Sequence, residues 1–183
     1  MNYVNTIDNT MLKFVENNMH TLILDKLMIF ITTLGNGGLV WVSICAFLIL
    51  NKKYRKIGII ALASLGLSAF LGEIIIKNIV ERVRPTADVT AVASLIVKPL
   101  SYSFPSGHSA SAFAVAGVLS YYFKKYSVCF YTMAVLIAFS RIYLYVHYPS
   151  DVAVGIILGL FCSRVAIFVA DKINFLNRGI QNE

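Results

Sequence analysis

Long apolar runs dominate this sequence, and they limit what the chain can fold into. Mostly apolar residues make up the stretches 38–50, 57–79, 107–123, 127–145 and 151–170. A run of about 20 apolar residues is long enough to cross a bilayer as an α-helix. The chain is 58% hydrophobic and only 14% charged, which excludes an ordinary soluble domain. We therefore expect an all-α integral membrane protein.

The basic residues lie mainly in short loops between the apolar runs. Residues 51–56 include four of them, and Lys124 and Lys125 form a second cluster. Basic loops of membrane proteins stay on the cytoplasmic side, so these clusters predict two cytoplasmic loops. Orientation in a bilayer thereby explains the net charge of +7, and we expect no nucleic-acid partner. The predicted bundle has five transmembrane helices with the N-terminus outside.

The chain forms one predicted domain, and its two ends are more polar than its middle. Residues 1–36 carry apolar side chains at helical spacing among charged ones, which predicts amphipathic helices at the membrane surface. Residues 37–170 form the transmembrane core with the active site, and residues 171–183 form a cytoplasmic tail. In the alternative arrangement, residues 22–34 are a sixth span and the N-terminus lies inside. No cleavable signal-peptide pattern begins the sequence, and the oligomeric state stays open.

Three groups of polar residues interrupt the apolar pattern, each at the end of a predicted span. They are Lys77 with Arg84 and Pro85, residues 105–108, and Arg141 with His147 and Asp151. In the predicted topology, all three groups reach the outer membrane surface. Charged side chains within a membrane are costly and usually serve a function. We therefore expect these groups to form one site.

The first group contains two cations. Lys77 and Arg84 are seven residues apart, so a continued helix would carry them on one face, and Arg82 on another. Glu73 precedes Lys77 by one turn and can pair with it. Pro85 is expected to end the helix and to hold Arg84 at the mouth of the site. Taken alone, this pattern favours a lysine that snorkels to the membrane surface beside a salt-bridge partner, with an arginine next to the membrane.

The second group stands before the third span and has the pattern of a helix start. Ser106 is a natural N-cap, and Gly107 allows close approach to the backbone. Backbone N–H groups at a helix N-terminus attract anions, and His108 lies beside them in the first turn. A plain helix cap would account for the serine, but not for the glycine and histidine together.

The third group pairs a histidine with a carboxylate. His147 and Asp151 are four residues apart across a turn that contains a proline. The carboxylate can accept the Nδ1–H of the imidazole, fix its tautomer and make Nε2 a better nucleophile. Arg141 can bind a phosphate with its planar guanidinium. Asp151 is also placed to cap the fifth span.

Together these residue types indicate a phosphate site. Three cations and a helix N-terminus suit a tetrahedral oxyanion, and two histidines suit nucleophilic attack and protonation of the leaving group. The chemical alternative is a metal site with His108, His147 and Asp151 as ligands. We disfavour it because the three cations would repel a divalent metal and would have no role.

The three groups resemble the signature of the type 2 phosphatidic acid phosphatase family, whose superfamily includes bacterial acid phosphatases and vanadium haloperoxidases. The matching segments, in order and without departure, are Lys77-x6-Arg84-Pro85, Pro105-Ser106-Gly107-His108 and Ser140-Arg141-x5-His147-x3-Asp151. The resemblance implies that His147 attacks phosphorus to form a phosphohistidine, that Asp151 orients it, and that His108 protonates the leaving oxygen. It further implies that no metal or cofactor is needed, and that the phosphate is bound by Lys77, Arg84, Ser106, Gly107 and Arg141.

The expected function is hydrolysis of a lipid phosphate at the outer face of a bacterial-type plasma membrane. The short chain resembles bacterial members that convert undecaprenyl diphosphate to undecaprenyl phosphate for cell-wall synthesis. Phosphatidylglycerol phosphate, phosphatidic acid and diacylglycerol diphosphate are alternative substrates, since the signature reads only the phosphate. Lipid choice is expected to depend on the span surfaces and on the loop 86–104. Two other classes, a non-catalytic phospholipid-binding or transport protein and a vanadate-dependent haloperoxidase, are disfavoured by the activated nucleophile and by the membrane spans, respectively.

Overall fold

The computed structural model describes residues 3–85 and 100–180, with side chains through Ile173. Helices make up nearly all of this part of the chain, and it contains no β-strand, so the predicted all-α class is confirmed. The α-helices are α1 Tyr3–Asn18, α2 Leu22–Gly35, α3 Leu39–Leu50, α4 Arg55–Ala69, α5 Lys77–Val80, α6 Gly107–Tyr122, α7 Ser127–Tyr143 and α8 Pro149–Ile180.

The helices form the expected membrane bundle. In the described residues, 4 helical stretches are long and apolar enough to cross a membrane: Leu22–Leu50, Arg55–Val80, Lys124–Tyr143 and Pro149–Ile173. Helix α6, the predicted third span, has 16 residues and packs against α4, α7 and α8. The chain is therefore a multi-pass membrane protein.

The first span begins earlier than the apolar pattern suggests. Helices α2 and α3 are joined by a single 3-10 turn, Asn36–Gly38, in which Gly37 and Gly38 have left-handed φ values of 59° and 67°. Residues with a Cβ rarely adopt such angles. The glycines thus connect two helices of one candidate span, Leu22–Leu50, in line with the possibility that the first span begins before the glycines. For residues 1–21 the interfacial position stays a prediction, whereas residues 22–36 belong to this candidate span.

The amphipathic pattern of the N-terminal helix is present in α1. Its inner face buries Asp8, Leu12 and Val15, and this face packs against α7 and α8. Its other side exposes a set of large apolar residues: Tyr3, Val4, Ile7, Met11 and Phe14. Helix α1 therefore lies against the bundle with one carboxylate turned inward.

Small residues allow α8 to approach α6 closely. A Cβ on Gly159 would lie 2.4 Å from the carbonyl oxygen of Ala110, and one on Gly155 would lie 2.6 Å from that of Ser106. Transmembrane helices use such small residues to bring their backbones together. Most of α6 is buried as a result, so its neighbours shield it from lipid.

The helix that carries Lys77 ends sooner than predicted. Helix α4 continues through a π-helical segment, Phe70–Ile76, into α5, which ends at Val80. Glu81 has a left-handed φ of 48°, and the described residues that follow, 82–85, are not helical. The prediction that Lys77 and Arg84 share one face of a continued helix, ended by the proline, is therefore wrong. Arg84 approaches the site from an irregular segment.

Helix α8 extends beyond the predicted end of the fifth span at Ala170. Residues 171–180 of the predicted cytoplasmic tail are helical, and residues 181–183 lie outside the described part of the chain. Residues 86–99, most of the loop predicted to select the lipid, also lie outside it.

Candidate active site

A cavity of about 630 Å³ lies where the helix ends meet. Six of the eight predicted site residues line it: Lys77, Arg84, Gly107, His108, Arg141 and His147. The other two, Ser106 and Asp151, are fully buried and bonded to groups around it. The fold thus brings the three polar groups of the sequence together in space.

His147 lies in the loop between α7 and α8 and is almost completely buried. Its Nε2 is 3.1 Å from Nη1 of Arg84. Because a guanidinium only donates hydrogen bonds, Nε2 must accept this one, and the proton of a neutral ring then lies on Nδ1. Burial and the neighbouring guanidinium groups lower the pKa of His147 to about 4. The ring is therefore neutral at physiological pH, and its Nε2 lone pair accepts from Arg84 in the cavity wall.

Asp151 supports His147 through a serine. Its Oδ2 is 3.7 Å from Nδ1 of the neutral His147 ring, which is longer than a hydrogen bond. The hydroxyl of Ser103 donates to this Oδ2 at 2.5 Å and lies 3.4 Å from Nδ1. The Nδ1–H of His147 can therefore be donated to Ser103, whose own hydrogen points to the carboxylate. Sequence analysis missed Ser103, because it lies outside the segments that form the signature.

Asp151 and Ser106 also fix the starts of two helices. The Oδ2 of Asp151 accepts the N–H of Tyr148 at 3.0 Å, as a first-turn side chain does in a capping box. The Oγ of Ser106 accepts the N–H of Ser109 at 3.4 Å, so the predicted N-cap of α6 is confirmed. The N–H of Ser106 donates to the carbonyl oxygen of Asp151 at 3.0 Å. This bond joins the starts of α6 and α8.

His108 lies in the first turn of α6 and is held by the turn between α2 and α3. Its Nε2 donates to Oδ1 of Asn36 at 3.0 Å. A Cβ on Gly35 would lie 2.7 Å from the ring, so the absence of a side chain there makes room for His108. The neighbouring Gly107 makes room for Glu73, whose Oε1 would lie 2.2 Å from a Cβ at that position.

The cations of the cavity differ in their partners. The predicted pair of Lys77 and Glu73 is confirmed, with a distance of 2.6 Å from Nζ to Oε2. Arg141 is buried and donates from Nη1 to the hydroxyl of Thr32, while its buried Nε has no partner within the described residues. Arg84 donates to neutral groups, namely the carbonyl oxygens of Ser101, Tyr102 and Val146 and the hydroxyl of Ser101. Both guanidinium groups thus keep positive charge available for an anion.

Arg82 lies behind the cavity. Sequence analysis missed its role, because it placed Arg82 on a different helix face from Lys77 and Arg84. Its Nη1 donates to Oδ1 of Asp151 at 2.6 Å, and its Nη2 donates to Oδ2 of Asp8 at 2.7 Å. Asp8 lies on α1, 74 residues earlier in the chain. No local pattern could reveal an ion pair over such a separation.

The geometry does not support the alternative metal site. Within the described residues, no three His, Cys, Asp or Glu side chains come together as metal ligands. His108 and His147 line the cavity, whereas the oxygens of Asp151 are bound by Ser103 and Arg82.

Comparisons with known proteins identify the family of the chain. Residues 57–174 match the PAP2 superfamily. The chain is 34% identical over 145 residues to the undecaprenyl-diphosphatase of Sulfolobus acidocaldarius. The aligned region covers 79% of this chain and 69% of the relative. Its fold matches the transmembrane PAP2-type phosphatidylglycerolphosphate phosphatase from Bacillus subtilis with a TM-score of 0.77 and 30% identity, over 94% of this chain and 89% of that one. It also matches the fold of Aquifex aeolicus LpxE, with a TM-score of 0.74 and 29% identity over 91% of this chain and 96% of that one.

The match to the family includes the whole polar site, from Lys77 to Asp151. The matches to solved structures extend over nearly the whole chain. The chain therefore belongs to the PAP2 superfamily and is a multi-pass membrane lipid phosphatase.

Proposed function

We propose that this chain removes a phosphate from a membrane lipid through a phosphohistidine on His147, without a metal ion. The observation that carries the proposal is the 3.1 Å contact between Nη1 of Arg84 and Nε2 of His147 at the cavity. In that contact a strong phosphate-binding group stands beside the lone pair of a neutral imidazole. A phosphate bound to Arg84 would have its phosphorus within reach of this nucleophile.

The proposed reaction has two steps. The lone pair of His147 Nε2 attacks phosphorus, the bond from phosphorus to the leaving oxygen breaks, and His108 gives that oxygen a proton. The Nδ1–H of His147 stays directed at Ser103, and Asp151 stabilises the positive charge on the ring. Water then attacks the phosphohistidine while His108 accepts a proton. Inorganic phosphate leaves, and His147 is restored.

The phosphate oxygens are the proposed ligands of the cations and of the start of α6. Lys77, Arg84 and Arg141 line the cavity, and positive charge there stabilises the extra negative charge of the transition state. The backbone N–H of Gly107 belongs to the positive end of the α6 dipole. The Oγ of Ser106 accepts from the N–H and the hydroxyl of Ser109, which leaves its own hydrogen to donate to phosphate.

The proposed substrate is undecaprenyl diphosphate, which would yield undecaprenyl phosphate. The identity to an undecaprenyl-diphosphatase supports this choice. An apolar wall formed by Leu62, Leu65 and Ala69 lines the same cavity, as a lipid substrate requires. Phosphatidylglycerol phosphate is the second candidate, because the chain also matches a phosphatase named for that lipid. Phosphatidic acid and diacylglycerol diphosphate present a similar terminal phosphate to the site.

The proposed site faces the extracytoplasmic side of a bacterial-type plasma membrane. The basic segments 51–56 and 124–125 lie at the ends of the spans that are remote from the site, and such segments stay in the cytoplasm. Single cysteines at Leu100 and Lys53, in a chain freed of its own cysteines, test this orientation. A membrane-impermeant thiol reagent should label Leu100→Cys in intact cells and Lys53→Cys only after lysis. The reverse labelling would contradict it.

The test of function is phosphate release by purified protein from undecaprenyl diphosphate and phosphatidylglycerol phosphate, assayed side by side with EDTA present. We expect turnover of the prenyl substrate to be faster, and His147→Ala to abolish turnover of both. The matched control His20→Gln changes a histidine outside the cavity and should remain active. Faster turnover of the glycerolipid would change the substrate alone, whereas an active His147→Ala would reject the nucleophile.

A non-catalytic lipid-binding or transport protein is the alternative of another class. It would bind both lipids without releasing phosphate from either, and His147→Ala would leave binding intact. Loss of activity in EDTA that a divalent metal restores would contradict the proposed metal-independent mechanism.

A further inference from the structure

We propose that Asp8 and Arg82 are positioning residues that act on His147 through Asp151, so that α1 takes part in catalysis. The inference rests on the proposed role of His147 as nucleophile. It concerns three elements that are far apart in sequence: α1, the segment after α5, and the start of α8.

Arg82 lies between two buried carboxylates. Its Nη1 is 2.6 Å from Oδ1 of Asp151, and its Nη2 is 2.7 Å from Oδ2 of Asp8. The two carboxylate residues are 0% and 2% exposed, respectively. Removing one member of such a network leaves a buried charge without its partner, which is costly. The position of Arg82 therefore depends on Asp8 as much as on Asp151.

The two oxygens of Asp151 have separate tasks. Oδ2 accepts from Ser103 and from the N–H of Tyr148, and it is the oxygen nearest to His147. Oδ1 accepts from Arg82. Bonds at both ends of the carboxylate prevent it from rotating, so Oδ2 stays directed at Ser103 and the imidazole.

Arg82 positions Ser103 as well. Its backbone carbonyl oxygen accepts the N–H of Ser103 at 2.7 Å, and its guanidinium lies 4.0 Å from the centre of the Tyr148 ring. Burial opposes the charge of Arg82, but the hydrogen bonds and charges of Asp8 and Asp151 raise its pKa above the ordinary value. One residue thus holds both groups that stand behind His147.

Asp8 connects this arrangement to α1. Its Oδ1 accepts the N–H of Ser150, and its Oδ2 accepts the Ser150 hydroxyl at 2.5 Å. Packing alone would hold α1 through its buried apolar residues, Leu12 and Val15. A buried carboxylate gives no advantage for packing, but it can hold Arg82 and the start of α8 in register with His147.

The test is steady-state kinetics of the full-length purified protein in one detergent. Phosphate release from undecaprenyl diphosphate, or from phosphatidylglycerol phosphate if the wild type prefers it, gives kcat and KM for Asp8→Asn, Arg82→Lys, Arg82→Gln and the double variant Asp8→Asn/Arg82→Gln. We expect Arg82→Gln to lower kcat about a hundredfold and Asp8→Asn about tenfold, because the reacting groups are misplaced. KM should change less than about twofold, since neither residue lines the cavity.

Two further results identify positioning. Arg82→Lys should retain more activity than Arg82→Gln, because it keeps the charge. The losses of the two single variants should add only in part in the double variant, because Arg82 and Asp8 act through a shared contact and Asp8 has only its bonds to Ser150 besides. Glu16→Gln is the matched control, a conservative change of another acidic residue of α1, and it should keep the wild-type kcat.

The outcomes separate this inference from the proposed function. Wild-type kcat in folded Asp8→Asn and Arg82→Lys would overturn the inference. Fully additive losses in the double variant would also overturn it. So would losses of kcat that only parallel the decrease in melting temperature of each variant. If Arg82→Gln does not fold, Asp8→Asn and Arg82→Lys still decide. An inactive wild type or an active His147→Ala would instead reject the proposed function.

Discussion

Arg82 and Arg84 are two residues apart in the chain, yet they belong to regions with opposite electrostatics. Arg82 lies in the network behind the cavity and is bonded to two carboxylates, Asp8 and Asp151. Arg84 lies in the cavity wall, and its hydrogen-bond partners within the described residues are carbonyl oxygens, a hydroxyl and an imidazole.

The difference shows that one short segment can supply both an arginine that fixes geometry and an arginine that keeps its charge at the cavity. A guanidinium that is neutralised by carboxylates fixes geometry but attracts a phosphate weakly. A guanidinium with neutral partners is equally well held and keeps its full charge for the substrate. Burial does not distinguish an arginine of the cavity wall from one of the network behind it, because an arginine of the wall can also be buried: Arg141 is 2% exposed. The charge of the hydrogen-bond partners distinguishes them.

The sharpest test of this comparison is Arg84→Gln. We expect kcat/KM to fall about a thousandfold, since the change removes a charged donor from beside the nucleophile. Phosphate release from the lipid diphosphate measures the effect. The matched variant Arg82→Gln changes the same residue type in the network behind the cavity, and its loss should appear in kcat alone. Equal losses of the same kind in both variants would remove the distinction between the two regions.

The protonation of His147 reports first on its burial and then on the positive charge of Arg141 and Arg84 in the cavity wall. Its pKa should be about 4 instead of 6.5, a displacement of more than a hundredfold in the proton-binding constant. Because this pKa is lowered, the ring is neutral above about pH 4 and becomes protonated only as the pH falls through that value. Imidazole NMR of ring-labelled protein, with His147→Ala to assign the signal, would show this titration. A midpoint at or above 6.5 would contradict a cationic, buried site.

Ser103→Ala tests the contact between the two regions. The variant leaves Nδ1 of His147 and Oδ2 of Asp151 separated by 3.7 Å with no hydroxyl between them. We expect kcat to fall about tenfold, as for loss of one hydrogen bond to a charged group. Ser103→Thr keeps the hydroxyl and should recover part of this loss. Unchanged kcat in Ser103→Ala would mean that Asp151 acts on the imidazole directly.

The smallest expected effect concerns Glu73, the one carboxylate that lines the cavity in the described residues. It pairs with Lys77 and is 44% exposed on its side chain, so its influence is screened. Glu73→Gln should release Lys77 and lower the inhibition constant for inorganic phosphate about threefold, with little change in kcat. Competition assays measure this constant. Weaker inhibition would show that the pair, and not the free ammonium, binds phosphate.

Local features of the site could be predicted from the sequence. Ser106 caps α6, and Lys77 pairs with Glu73 one turn away. Such features depend on neighbours within about four residues, which the sequence displays directly. The bundle of long apolar helices was also predictable, because apolar run length determines what can cross a bilayer.

The error at Arg84 arises because tertiary contacts override the local helical pattern. Helical spacing from Lys77 assumes that the helix continues, but the chain adopts a left-handed conformation at Glu81. Glutamate has no special preference for that conformation. The contacts of the segment that follows outweigh the helical preference, including those that Arg82 and Arg84 make with the start of α8 and with His147.

The sequence by itself determined that this chain is a membrane bundle whose polar residues gather at one end, and that those residues suit a phosphate. Only the tertiary structure decided which cation lines the cavity and which is neutralised by carboxylates. The bonds that make this choice join Arg82 to Asp8, Arg82 to Asp151, and Arg141 to Thr32, at separations of 74, 69 and 109 residues. Periodicity and spacing report on neighbours along a helix, whereas a charge is compensated by whatever folding brings beside it.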